Sequence, residues 1–166
     1  MIGLSSMKAY YPSLYSGKYL PQKCASKDMP GGQNVSPDVS WGDVPKDTQS
    51  FVLTIVDRHS SLDGWVYWYV INIPATARGL QERASSMREK LPHGCLEMRN
   101  SHGDLGYEGP NVAVGSEPHP LELTIHALSV PSLLIGPYAK PEERLNAMEG
   151  KILVTAKTTA LFTPGE

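Results

Sequence analysis

The chain has 166 residues, a formal net charge of −2, 40% hydrophobic and 19% charged residues. That balance supplies one core and too little charge for a disordered or nucleic-acid-coating chain, so a single domain over residues 1–166 with no nucleic-acid partner is expected. Its 15 glycines and 14 prolines interrupt regular structure often enough to exclude long helical bundles and coiled coils.

The start, residues 1–8, lacks a basic segment followed by an apolar one, so it does not read as a secretory signal. No apolar run reaches the roughly 18 residues a transmembrane span needs. A cytoplasmic location is the expectation, and there Cys24 and Cys95 read as reduced thiols rather than a bridge. Residues 29–34 form the first turn-rich loop. Residues 50–56 are a β-branched apolar run ending at Asp57, which predicts a strand, and a second loop fills 57–64. Residues 65–73 are apolar on both alternating faces until Pro74, which predicts a central strand covered on both sides. Leu80, Ala84, Met87 and Leu91 recur at helical spacing between Gly79 and Pro92 and predict a helix. A long loop, rich in glycine, runs from residue 101 to Pro118, and long loops in compact β proteins tend to carry function. In residues 121–130, Leu121, Leu123, Ile125 and Ala127 share one face and Glu122, Thr124 and His126 the other, the pattern of a half-buried antiparallel strand. On that polar face His126 reads as solvated or paired across to a neighbouring strand. Pro141, the acidic Glu142 and Glu143, and Gly150 bracket a helix over 141–149. Ile152, Val154, Ala156, Ala160 and Phe162 restore period two and predict a last strand over 151–162.

The histidines, His59, His93, His102, His119 and His126, have no zinc-helix or paired-cysteine spacing, so no metal site is read from the sequence. No phosphate-cradling loop occurs either, since Gly103 to Gly106 does not lead from a strand into a helix, and no cofactor is expected. His93 stands two residues from Cys95, without a nucleophile elbow or a cysteine-protease signature around it. A small hydrolase or transferase using Cys95 or His119 is kept as the alternative on that ground.

Several short motifs then occur in order: residues 34–41 ending at Trp41, Val44-Pro45, residues 50–53, residues 68–74, Gly106-Tyr107-Glu108-Gly109-Pro110, and Pro118-His119 before a strand. Over residues 19–162 this series resembles the phosphatidylethanolamine-binding protein family, in the bacterial and archaeal branch similar to the Raf kinase inhibitor protein. The resemblance implies a mainly β fold: a β-sandwich with a large central antiparallel sheet, a smaller sheet and one or two short helices. It also implies a shallow anion pocket at one end. Matched residue by residue, the pocket would use Asp57, Tyr67, Tyr107, Gly109, Pro110 and His119, while Trp68 matches the tryptophan of the family's His-Trp pair.

Three departures bear on chemistry. Tyr67 stands where the family has histidine, a phenol that donates a hydrogen bond without carrying positive charge. Residues 57–61 read Asp-Arg-His-Ser-Ser in place of Asp-Pro-Asp-Ala-Pro, and Pro120-Leu121 replaces Arg-Tyr. An anion beside an ionised Asp57 needs an offsetting proton or cation, so Arg58 and His59 are expected at the pocket rim, replacing the charge lost at position 67. Trp65 or Trp68 is expected in the core, with Tyr67 reaching the pocket. His102 and Asp104 read equally as loop hydrogen-bonding groups or pocket rim.

The implied function is a non-enzymatic binding module for phosphate, acetate, a phospholipid headgroup or a phosphorylated side chain. A kinase or peptidase is the candidate protein partner and a homodimer the candidate assembly. A protein-interaction scaffold with a degenerate pocket is the third reading.

Overall fold

The computed structural model describes residues 6–59 and 64–164. Residues 1–5, on which part of the reading against a signal sequence rests, and residues 60–63 of the loop after Asp57 lie outside the described residues. Two antiparallel sheets face each other. The smaller holds β1 (Lys8–Tyr10), β2 (Val39–Gly42) and β5 (Gly79–Leu80) in the order β1-β2-β5. The larger holds β3 (Ser50–Asp57), β4 (Trp65–Pro74), β6 (Leu96–Glu97), β7 (His119–Leu128) and β8 (Ile152–Phe162) in the order β6-β4-β3-β7-β8. The architecture is the mainly β sandwich the motifs implied.

β3 is buried at all eight positions because it pairs with β4 and β7 and both of its faces are covered. Phe51, Leu53 and Ile55 join Trp41, Trp68 and Leu123 in the core between the sheets. On the opposite face Val52 packs with Tyr69, Ile71, Met98, Leu133 and Met148, the last of these on the helix α1 (Pro141–Met148). The strand expected at 65–73 forms as β4, paired on both edges and buried on both faces from Tyr67 to Ile71, but it is not the middle one. β4 has only the two-residue β6 on its outer side, its first residue is exposed, and β3 is the middle strand.

The helix expected from Leu80 to Leu91 is also corrected. Beyond β5 the chain makes successive turns, with the amides of Ala84, Met87 and Lys90 donating to the carbonyls of Gln81, Ala84 and Met87. Arg83 (φ 68°) and Ser86 (φ 63°) take left-handed conformations that no right-handed helix accommodates. Turns that advance three residues at a time bring apolar side chains back at nearly helical spacing, so the sequence pattern fits both structures. The helix at 141–149 forms as α1, with the Glu143 carboxylate accepting the Lys140 amide at 3.0 Å.

A bulge sets the direction of the side chains at the start of β4. In the β3–β4 pairing Ile55 faces Trp68 while Val56 faces Val66, so Tyr67 is an extra residue on β4. A bulge bends the strand and re-aims its side chains. Tyr67 and Trp68 consequently both enter the inter-sheet core, while Val66 packs on the other side.

Candidate functional site

β3 ends where its two antiparallel neighbours begin, so Asp57, Trp65, Tyr67 and His119 gather at one end of the large sheet. The loop at 106–112 completes the enclosure. Between them lies a cavity of about 260 Å3 whose walls include Trp65, Tyr67, His102, Glu108, Gly109 and His119, with Ser26, Asn111 and Val112.

Asp57 has no exposed surface and backs the wall residues Tyr67 and His119. A carboxylate taken out of water needs donors, and three are in place. The His59 backbone N–H donates to Oδ1 at 2.8 Å. His119 Nδ1 lies 2.9 Å from Oδ2, and the Tyr67 hydroxyl donates to the same oxygen at 3.5 Å. With Nδ1–H given to the carboxylate, the imidazole keeps Nε2 for the cavity. Burial first, and then the Asp57 charge, push the Tyr67 phenol well above its ordinary range, so it stays neutral.

The loop carrying Gly109 is fastened from behind. Asn34 Oδ1 accepts the Gly109 amide at 2.8 Å, and its Nδ2 donates to the Tyr107 carbonyl at 3.0 Å. Ser85 Oγ accepts the Tyr107 amide at 2.8 Å. A Cβ at position 109 would stand 1.9 Å from the Cys24 carbonyl oxygen, so only glycine fits.

Of the residues matched through the motifs, Tyr67, Gly109 and His119 line the cavity, and Asp57 stands behind Tyr67 and His119. Tyr107 and Pro110 support it from outside its walls. The Tyr107 hydroxyl donates to the Cys24 carbonyl at 2.6 Å, so its proton is committed, and the Pro110 carbonyl accepts the Ser26 amide at 2.9 Å. Arg58 and His59 do not line the cavity as a rim. Strand alternation sends the residue after Asp57 to the opposite side, where the Arg58 guanidinium meets Glu122 at 3.0 Å. His59 serves through its backbone.

Trp68 is the tryptophan in the core; Trp65, 41% exposed, stands at the cavity instead. Glu108, Ser26, Asn111 and Val112 are wall residues the sequence reading missed. Glu108 had a signal, since it is the variable position inside the Gly106–Pro110 motif. His102 lies on the wall, and its Nδ1 meets Asp104 Oδ2 at 2.9 Å. That bond, with Glu108 nearby, holds the imidazole above its ordinary range. The ligating atoms of His102, Asp104 and Glu108 all lie within 4.8 Å of one another, a donor set suited to a cation that sequence spacing did not disclose. It differs from the expectation of no metal-ligating group only in space, because the donors come from two turns of one loop.

The family model described as phosphatidylethanolamine-binding protein matches residues 12–163. The chain is 34% identical over 164 residues to the UPF0098 protein YbhB of Escherichia coli strain K12, covering 95% of this chain and 100% of that one. A UPF0098 protein of Methanothermobacter thermautotrophicus is 35% identical over 134 residues, covering 81% and 86%. Among solved structures, E. coli YbcL, a member of the mammalian PEBP family, aligns with a TM-score of 0.85 at 26% identity over 96% of this chain and 99% of that one. A Chlamydia trachomatis homolog shares the fold, with a TM-score of 0.80 at 24% identity over 98% and 100%.

Proposed function

The chain belongs to the phosphatidylethanolamine-binding protein family, and we propose that it works as a non-enzymatic module that takes small anionic groups at the Asp57–His119 pair. One observation carries this reading: a fully buried carboxylate holds His119 by Nδ1 at 2.9 Å, while the same imidazole lies on the cavity wall.

An anion approaching a neutral imidazole would meet the lone pair of Nε2. If a proton arrives with it, the imidazolium donates to Asp57 on one side and to the anion on the other. Charge-assisted hydrogen bonds of this kind are roughly twice as strong as neutral ones. Asp57 orients the ring, Tyr67 shares Asp57 Oδ2 with it, and the bare backbone at Gly109 leaves room for the ligand. Nucleophilic catalysis would require a thiol or hydroxyl beside His119. Cys95, the thiol candidate, lines a different cavity from His119.

The test is a titration of the His119 ring signals by NMR with sodium acetate and with inorganic phosphate, combined with calorimetry. Saturating shifts in the millimolar range, a matching heat of binding, and loss of that heat in His119→Gln are expected. Unmoved His119 signals across that range, or binding that survives His119→Gln, would overturn the reading.

A further inference from the structure

We propose that Glu108 makes this cavity a selector for singly charged anions, disfavouring doubly charged ones such as phosphomonoesters; the inference rests on the anion-binding reading above. Among the described residues, the cavity wall includes Glu108 and neither lysine nor arginine. Beneath it lies Asp57, and beside it the His102–Asp104 pair at 2.9 Å. The Arg58 guanidinium, next in sequence to Asp57, is held by Glu122 at 3.0 Å. Tyr67 contributes no charge. With His102 and His119 both protonated, two imidazoliums still face three carboxylates: Asp57, Asp104 and Glu108. Asp28 adds a further negative charge felt by His102.

Such a site can welcome one negative charge through the proton on His119, and a second has nothing to pair with. Coulomb energy scales with the product of the charges. Glu108 therefore opposes a dianion with twice the energy it exerts on a monoanion in the same position, and twice the energy is the square in affinity. Carboxylates and phosphodiesters carry one charge. Phosphomonoesters, with a second pKa near ~6, carry close to two at neutral pH. Of the ligand classes implied by the resemblance, the charge balance favours the first two over a phosphorylated side chain.

Dimethyl phosphate and methyl phosphate separate charge from shape, and acetate serves as the carboxylate arm. Titrations of the full chain at pH about 7.5, with a chelator present so that no divalent cation neutralises Glu108, are followed at His119 by NMR. The wild-type protein is expected to bind dimethyl phosphate or acetate more tightly than methyl phosphate; which of the two is tighter tells phosphodiester from carboxylate. In Glu108→Gln a gain of about threefold for dimethyl phosphate should accompany about tenfold for methyl phosphate. Glu108→Lys should reverse the preference, and thermal unfolding of both variants checks that they fold. Wild-type protein that prefers methyl phosphate, or a Glu108→Gln effect equal for the two esters, overturns the selectivity while leaving anion binding intact. If none of the probes moves His119 in any variant, anion binding itself fails.

Discussion

Cys95 shares a cavity of about 520 Å3 with Arg88, His93 and Glu97, a set of side chains that would suit nucleophilic chemistry if the thiol ionised. Burial, and secondly the Glu97 charge, push that thiol up to about 12, and the protonated form is a poor nucleophile. Iodoacetamide at pH 7 should therefore alkylate Cys95 on the order of a hundredfold more slowly than an exposed thiol of ordinary pKa. Peptide mass spectrometry resolves it from Cys24, whose thiol burial also pushes up to about 12. Alkylation at the rate of a free peptide thiol would restore Cys95 as a nucleophile candidate. At this scale Asp57 and His119 were picked out by the family resemblance of the ordered motifs, and the fold brings them within 2.9 Å of each other. Trp65 was not, since tryptophans at 65 and 68 look alike until the bulge at Tyr67 decides which one the core receives. Ser26 carries no local signal at all; its place on the wall comes from contacts across more than eighty residues of chain, such as its amide on the Pro110 carbonyl.

The elements show the same division between local and distant causes. β7 and β8 arise directly from period-two patterning, and α1 from proline, acids and glycine at its ends. Residues 80–91 are governed from outside the segment. Ser36 Oγ accepts the Ser85 amide at 3.0 Å, and Glu97 accepts the Ser86 amide at 2.7 Å and the Ser85 hydroxyl at 2.6 Å. Glu97 also accepts the Trp68 indole N–H at 2.8 Å, and Ser85 passes the connection on to the Tyr107 amide. One carboxylate thus ties the turn segment, β4 and the cavity loop together. Hydrogen bonds to a charged group contribute roughly 1.5–3 kcal/mol each and are not additive within a network. Glu97→Ala should lower the stability by about 2–4 kcal/mol and speed hydrogen exchange at the Tyr107 amide, while Glu97→Gln recovers part of both. Exchange at Tyr107 unchanged in a destabilised Glu97→Ala would show that the loop is fastened without Glu97.

At the scale of the whole molecule, which strand sits in the middle was not readable, because β3 and β4 are equally apolar and their rank depends on how far each neighbour extends. Nor was the full covering of the sheet's outer face, whose layer includes Leu133, Ala139 and Met148 from a stretch without strand periodicity. That layer changes the surroundings of His126, which lies on the side of the sheet with Val52 and Thr124. The imidazole is half-buried and paired across to β8, with Nδ1 2.8 Å from Thr155 Oγ1. Burial, and then the Lys157 charge, lower its pKa to about 4, against an ordinary value near ~6.5 in the unfolded chain. Below ~6.5 the unfolded chain takes up the proton and the folded one does not, so the contribution of His126 to stability is complete above that pH and is lost as pH falls towards and through about 4. One pH unit of such imbalance corresponds to about 1.4 kcal/mol, and the loss between pH 7 and 4 should be on the order of 2 kcal/mol once partial exposure is allowed for. Lys157 on β8 carries the charge that this imidazolium would meet. Urea unfolding of the wild-type chain and of His126→Gln at several pH values between 7 and 4 measures it. The variant should lose less stability over that interval by about that amount, whereas parallel curves would assign the acid sensitivity to the carboxylates alone.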